Sequence, residues 1–413
     1  MNIFSGTMVL TALRLGVLAS KFLIVLFITR YIGVDDLGRF ALLNSINFIL
    51  PAFLGLGLIT HIARESVAHS IEEVTASLIK LWQLIIVLYA ITFALSLAVG
   101  QFLGINLFLI SAGIILALLE QINGDTTQIL INRKKPIIAN FLMFLRIGGW
   151  VYAYIIAAFL IPELRTLEIL IYFWITGQVL GLLLFIFVAR AWPWIQEFQY
   201  VSKQWILFEL KPSWIFWINS VADSLSSNAD RVIISMILGF ELTGVYVFFL
   251  QIFDSVRTIV YASIYQLRRP SMISAFFENK IDLHKKITLG VSKEATALSI
   301  LLMVIIYTVL HFGIPYLERP LVTQYLWIAP YIMLAVILRI LADSFSYGLF
   351  TAKKDKAFVV SSIIAMVFSL LCNVLFLPIF GIIGAAFSAL IVAISIGIWR
   401  YHALSSFWNE RIM

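Results

Sequence analysis

The sequence predicts an all-α polytopic membrane protein of about twelve transmembrane helices, in two six-helix lobes related by a pseudo-two-fold along the membrane normal. Three features carry that prediction. Apolar runs near 20 residues recur along the whole chain, basic residues crowd into alternate connections, and the second half repeats motifs of the first.

Hydrophobic residues make up 62% of the 413 and charged residues 12%, and mean hydropathy is +1.01. A soluble domain carries roughly twice that charged fraction. Twelve apolar runs stand out, near 6–29, 40–60, 78–99, 106–131, 137–160, 167–189, 213–238, 242–265, 288–312, 322–350, 358–378 and 382–400. Each is long enough to cross a hydrocarbon core ~30 Å thick as a helix. The first run lacks a charged leader and carries charge inside it, so no cleavable signal peptide is expected. The single cysteine, Cys372, excludes an intramolecular disulfide and a cysteine-based metal site, and its apolar run fits a packing role. The net charge of +7 resides mostly at span ends, which argues for topology and against nucleic-acid binding.

The odd-numbered connections hold 4 Lys/Arg (Arg30, Arg39, Arg165, Arg319) and the even-numbered ones 15, among them Arg133-Lys134-Lys135 and Lys353-Lys354. By the positive-inside rule both termini are cytoplasmic. No connection exceeds about 25 residues, so neither side has room for a soluble domain. The longest, 190–212, interleaves Trp192, Trp194, Phe198, Tyr200, Trp205 and Phe208 with Arg190, Lys203 and Lys211. It reads as an amphipathic linker in the cytoplasmic interface. The division is therefore 1–189 as an N-terminal lobe, 190–212 as linker, and 213–413 as a C-terminal lobe with a short tail.

The halves repeat. Gly33-Val34-Asp35-Asp36-Leu37-Gly38-Arg39-Phe40 joins the first two spans, and Gly239-Phe240-Glu241-Leu242-Thr243-Gly244-Val245-Tyr246 joins the seventh and eighth, 206 residues later. Asn132-Arg133-Lys134-Lys135 leaves the fourth span and Thr351-Ala352-Lys353-Lys354 the tenth, 219 later. Repeats of six spans that start on the same side are related by an axis along the membrane normal.

Twelve charged residues lie inside spans: Arg14, Lys21, Glu120, Asp125, Arg146, Asp223, Asp230, Arg231, Asp254, Arg257, Arg339 and Asp343. At ~3 kcal/mol each, leaving them in lipid would cost roughly 35 kcal/mol, so they line a hydrated cavity or pair with each other. Asp254/Arg257 and Arg339/Asp343 stand three and four residues apart, on shared helical faces. Asp125, Asp230 and Arg231 are near span ends and are expected to snorkel. Arg14 and Lys21, seven apart, form a cationic stripe with no acid in their own span. The seventh span offers Asn219, Asp223, Ser226, Ser227 and Asp230 at helical spacing, and the fourth Glu120 with Asn123 and Thr127. Several of these charges fall ~12–16 Å from the cytoplasmic surface at 1.5 Å per residue. That depth suits a charged head loaded from the cytosol, with cations neutralising phosphate or acidic sugar. Balance among the twelve is the alternative, since they sum to zero.

Leu13-Arg14, then Thr29-Arg30-Tyr31-Ile32-Gly33-Val34-Asp35-Asp36-Leu37-Gly38-Arg39-Phe40, then Gly55-Leu56-Gly57 and Ala63-Arg64-Glu65, resemble the polysaccharide transporter family, the Wzx-type O-antigen flippases of the multidrug/oligosaccharidyl-lipid/polysaccharide (MOP) exporter superfamily. The resemblance implies a MATE-like fold in the bacterial inner membrane. It implies translocation of an undecaprenyl-pyrophosphate-linked oligosaccharide, an O-antigen or related surface-polysaccharide unit of lipopolysaccharide biosynthesis, to the periplasmic leaflet by alternating access. Partners would be that glycan, the bilayer, a polysaccharide polymerase and a chain-length regulator. Arg14, Lys21, Arg257 and Arg339, with Asn219 and Asp223, are the substrate-binding candidates for the central cavity. Glu120, Asp223 and Asp343 are candidates for H+ or Na+ coupling. Pro51 and Pro330 lie inside the predicted spans as candidate bending points.

Three alternatives compete. An ion-coupled drug/cation antiporter of the same superfamily would favour an acidic cavity. A polysaccharide polymerase or ligase would carry a large external loop, and a peptidoglycan-precursor flippase two further spans. No nucleotide-binding loop, His/Glu metal motif or nucleophile triad is present, so neither an enzyme activity nor a cofactor or metal is expected.

Overall fold

A computed structural model of the chain describes residues 3–103 and 106–412. Among the described residues every regular element is helical, as a bilayer requires of backbone that cannot pair with water. The α-helices are α1 (Ile3–Phe27), α2 (Val34–Leu54), α3 (Leu58–Glu65), α4 (Ile71–Leu103), α5 (Leu107–Asn132), α6 (Pro136–Phe144), α7 (Trp150–Leu160) and α8 (Leu167–Val188). They continue as α9 (Lys203–Val260), α10 (Gln266–Phe277), α11 (Ile281–Gly313), α12 (Pro320–Gln324), α13 (Ala329–Thr351), α14 (Asp355–Phe380) and α15 (Ile382–Ile412). Short π-helical turns at Ile28–Ile32, Leu145–Gly149 and Tyr261–Tyr265 extend α1, join α6 to α7 and join α9 to α10. Among the described residues eleven continuous helical stretches are long and apolar enough to cross a membrane. One of them holds two spans, because α9 breaks at Gly239, whose φ of 85° and ψ of 175° are not helical.

Several boundaries differ from the sequence reading, each for a local reason. The run 40–60 is interrupted: α2 ends at Leu54 and α3 starts at Leu58. Gly57 adopts φ +68°, and a β-carbon there would sit 2.5 Å from the Trp217 backbone nitrogen. The break thus lets the chain pass directly against α9. Pro330 lies in the first turn of α13, where its missing N–H is harmless, while Pro51 is inside α2. The last helix does not stop near residue 400 but runs to Ile412, its apolar face continued by Leu404, Phe407 and Trp408. Residues 190–202 form turns and irregular backbone before α9 begins at Lys203. There Trp194 stacks on both Trp82 and Trp192, while Ile195, Phe198 and Tyr200 stay exposed.

By backbone contacts the chain forms two compact units, Met1–Phe27 with Leu42–Ser224, and Ile28–Ala41 with Leu225–Met413. The boundaries fall at the end of α1, inside α2 and inside α9. In the first unit α5 packs on α4, α6 and α8; in the second α15 packs on α13 and α14.

The repeat is written into the turns. Both glycine turns belong to the second unit, and Gly38 and Gly244 each meet the other turn's backbone. A β-carbon on Gly38 would lie 2.0 Å from the Phe240 carbonyl oxygen, and one on Gly244 2.0 Å from that of Val34. Under the 206-residue offset Gly244 is the counterpart of Gly38 and Phe240 of Val34. Reciprocal contacts of this kind are what a two-fold axis produces. The basic turns repeat as well. Lys134 and Lys353 take φ of 59° and 55°. Lys135 N–H bonds Leu130 O at 2.8 Å, and Lys354 N–H bonds Leu349 O at 3.0 Å. Each is a Schellman closure with lysine at the left-handed position glycine normally fills.

Candidate functional site

The second unit gathers the intramembrane charges around Asp343 of α13. Arg257, near the end of α9, donates Nε to Asp343 Oδ2 at 2.7 Å. Arg339, one turn earlier on α13, approaches Oδ1 at 3.7 Å. Arg400 of α15 donates to the same oxygen at 3.1 Å. Three arginines therefore share one carboxylate. Asp254 adds a second acid 3.8 Å from Arg257, but half of its side chain is exposed. Three arginines and two acids thus make up the cluster among the described contacts.

The three arginines are not equivalent. Arg400 is 4% exposed and also donates Nε to Ser361 Oγ at 3.1 Å and Nη1 to the Ala342 carbonyl at 3.3 Å. It is the fixed structural member. Arg257 keeps 36% of its side chain exposed. It opens on a cavity of about 220 Å³ lined by Asp254, Thr258, Tyr261, Tyr265, Asp343 and Tyr347. The π-turn Tyr261–Tyr265 supplies two of the three tyrosines. Tyr265 is pinned by donating its hydroxyl to Ile340 O at 2.6 Å and sharing a 3.0 Å bond with Ser344. Its ring lies 4.6 Å from that of Tyr347. A part-exposed guanidinium, a carboxylate and flat aromatic faces can hold an anionic group beside a hydroxyl-rich ring.

Arg257, Arg339 and Asp343 are thus brought together from the sequence candidates, and the cross-helix bond at 2.7 Å is shorter than either intrahelical approach. Glu120 is drawn elsewhere. It pairs with Arg146 of the π-turn Leu145–Gly149 and accepts from Gln178 Nε2 of α8 at 2.8 Å. Asn123 Nδ2 completes that network by donating to Gln178 Oε1 at 3.0 Å. Arg14 and Lys21 are exposed on α1, and Arg14 Nε donates to Asn140 Oδ1 at 3.1 Å. Asn219 and Asp223 lie on the first unit's share of α9.

The expected snorkelling does not occur at Asp125, which is 1% exposed and accepts from Gln121 Nε2 at 3.1 Å. Asp230 and Arg231 are part-exposed; Asp230 accepts from the Tyr246 hydroxyl at 2.9 Å and Arg231 donates to Asn228 Oδ1 at 2.8 Å.

Sequence reasoning missed Arg400 and the three tyrosines. Arg400 is the last residue of the final apolar run, 382–400, and is not among the intramembrane charges read from the sequence. The continuing apolar spacing of Leu404, Phe407 and Trp408 is the signal that would have placed it inside a helix.

No protein-family model and no curated protein matches the chain. Solved structures do. An inward-facing multidrug resistance MATE family transporter of the MOP superfamily aligns over 97% of this chain and 95% of its own, at 14% identity and a TM-score of 0.71. The lipid II flippase MurJ, in an inward closed conformation, aligns over 97% of this chain and 87% of its own, at 14% identity and a TM-score of 0.69. An outward-facing MATE family transporter follows at 15% identity, 98% and 96% coverage and a TM-score of 0.59. The chain has the fold of these transporters. It is a multi-pass membrane protein of MOP-like architecture.

Proposed function

We propose that this chain is a MOP-type transporter that carries a lipid-linked, phosphate-bearing oligosaccharide across the bacterial inner membrane. The cargo of this reading is an undecaprenyl-pyrophosphate-linked repeat unit of a surface polysaccharide such as O-antigen. It moves from the cytoplasmic to the periplasmic leaflet by alternating access of the halves 1–189 and 213–413, with both termini cytoplasmic. A polymerase and a chain-length regulator would act on the product. The carrying observation is the second-unit cluster, in which three arginines share Asp343 beside a tyrosine-lined cavity. Arg257, which lines the cavity, engages the pyrophosphate, Arg339 and Arg400 hold Asp343 in place, and the tyrosines face sugar. Arg14 and Lys21, exposed on α1, supply further positive charge to the head group. Asn219 and Asp223 contribute polar contacts, and Asp223, Asp343 or Glu120 would carry a coupling H+ or Na+. No covalent step is required.

The rival is an ion-coupled cation antiporter, favoured by the multidrug MATE neighbours. Purified protein in proteoliposomes separates the two. A fluorescent polyprenyl-pyrophosphate oligosaccharide placed in one leaflet should become accessible to an impermeant sugar oxidant on the other side, and Arg257→Gln should slow this at limiting glycan. Ethidium accumulation without glycan movement would overturn the reading in favour of the antiporter.

A further inference from the structure

One end of the second unit carries cations that no acid neutralises. Arg269 of α10, Lys285 and Lys286 of α11, and Lys353, Lys354 and Lys356 around the start of α14 make no ion pair among the described residues. Their neighbours do: Arg268 bridges to Glu294 at 2.8 Å and Lys280 to Glu278 at 2.7 Å. Four of the unpaired six lie on aromatic faces instead. Arg269 stands 4.5 Å from the Phe350 ring centre, Lys353 4.6 Å from Phe277, Lys354 5.0 Å from Phe407 and Lys285 5.8 Å from Trp408. Energetic cation–π pairs occur about once per 70–80 residues, so four on one connected layer is a concentration.

The layer is rigid and contiguous. Phe407 and Trp408 belong to a buried cluster with Ile281, Leu349 and Leu404. Buried His284 ties it together, accepting from Trp408 Nε1 at 3.1 Å and sharing a 2.9 Å bond with Thr351. Above the cluster the apolar rim is exposed at Leu267, Phe277, Leu283 and Phe350. A ring behind an ammonium fixes its stem while leaving its N–H donors outward, where a carboxylate would have consumed them. Outward donors beside exposed aromatic and aliphatic side chains match a phosphate next to acyl chains. A Lys or Arg near an anionic leaflet is attracted to it, and several on one layer add up.

The counterpart turn of the first unit shows that this is not simply what a basic turn looks like. Arg133 spends its Nη1 donor on the carbonyls of Ser66 and His69, at 3.1 and 2.8 Å. The residue at its place in the repeat, 219 positions on, is Ala352.

We propose that this basic–aromatic end of the second unit docks the phosphate head groups of anionic phospholipids in the adjoining leaflet. The proposal rests on the chain spanning a membrane and not on the nature of its cargo. The full chain, purified in zwitterionic detergent–lipid micelles, is titrated with phosphatidylglycerol, phosphatidylcholine or inorganic phosphate while the midpoint of thermal unfolding is followed. Phosphatidylglycerol should raise the midpoint well above phosphatidylcholine, and salt should shrink the difference. The Lys285→Gln/Lys353→Gln/Lys354→Gln variant should keep its midpoint in phosphatidylcholine and lose most of the phosphatidylglycerol shift. Should that variant fail to fold, Lys286→Gln/Lys356→Gln, which disturbs no ring contact, should still lose part of the shift. Equal shifts for the two lipids, or an undiminished shift in the variants, would overturn the proposal. A shift of the same size from inorganic phosphate alone would also overturn it, in favour of a free anion. Glycan translocation is read separately, so its failure leaves this result standing.

Discussion

The two units answer the same problem, charge inside an apolar helix, in opposite ways. Counted back from the matching lysine turns, Glu120 of α5 and Arg339 of α13 occupy the same place in the repeat. In the first unit the acid meets one arginine, Arg146, itself 7% exposed, and hydrogen bonds from Gln178 close the network. In the second unit the base joins two more arginines on Asp343, beside an open cavity. The first pair is largely enclosed by its neighbours. The second cluster keeps Arg257 36% exposed beside a cavity. Intramembrane charge therefore marks a site only where it faces a space that a ligand can enter, which is why the second cluster and not the first is assigned the cargo.

The sharpest way to break that contrast is Asp343→Ala. It removes the carboxylate shared by Arg257, Arg339 and buried Arg400. Breaking a buried pair by deleting one partner costs about 3–5 kcal/mol, and here one deletion breaks three contacts. The midpoint of thermal unfolding in detergent should fall further than for any other single substitution considered below. An unchanged midpoint would mean that the arginines are solvated and the cluster is not the neutralising centre described.

Glu120→Gln comes next, because Arg146 is left buried without its counter-charge. The closed pair makes a stronger prediction than the loss itself. Adding Arg146→Gln should recover much of the stability, with a coupling energy within the ~0.5–3 kcal/mol range of contacting groups. The parallel double substitution Asp343→Asn/Arg257→Gln should not recover, since Arg339 and Arg400 remain. Equal recovery in both cycles would erase the distinction between the two clusters.

That distinction was only half legible in the sequence. The spans were, because apolar runs of the right length leave little choice of structure in a bilayer, and the two glycine turns were, because their spacing repeats. Local charge pairs such as Arg339/Asp343 were visible for the same reason. Cross-helix partners were not. Arg146 and Glu120 stand 26 residues apart, and Arg257 and Asp343 stand 86 apart. No periodicity within one helix reports which face meets which neighbour. Arg400 was hidden differently: hydropathy fades there while the helix continues, since Phe407 and Trp408 still bury their rings.

Where the repeat is symmetric, substitutions should be symmetric too. Gly38→Ala and Gly244→Ala each place a β-carbon on the opposing carbonyl, at 2.0 Å in both cases. Overpacking of this kind typically costs about 1–3 kcal/mol, and the two variants should match within a few tenths. Chemical-denaturant midpoints measured side by side would show it, and a large inequality would mean that the reciprocal contact is not a true two-fold. Arg257→Gln should be milder in stability and larger in function. The side chain is already 36% exposed, so unfolding should shift little while apparent glycan affinity weakens about tenfold, or ~1.4 kcal/mol. Loss of stability without loss of affinity would make Arg257 structural, like Arg400.

The smallest expected effect tests the turns themselves. Arg133→Ala gives the first unit the residue that the second already has at Ala352. The Schellman closure is backbone to backbone, Lys135 N–H to Leu130 O, and survives the change. What is lost is the guanidinium clamp on Ser66 and His69, part of it exposed to solvent. Such bonds contribute about 1 kcal/mol net, so the cost should be of that order, and amide exchange should speed up around Arg133 and the neighbouring 66–69 segment before anywhere else. If exchange is unaffected there, the arginine serves the membrane surface as the second unit's free cations do. The asymmetry between the two basic turns would then lie in their aromatic backing alone.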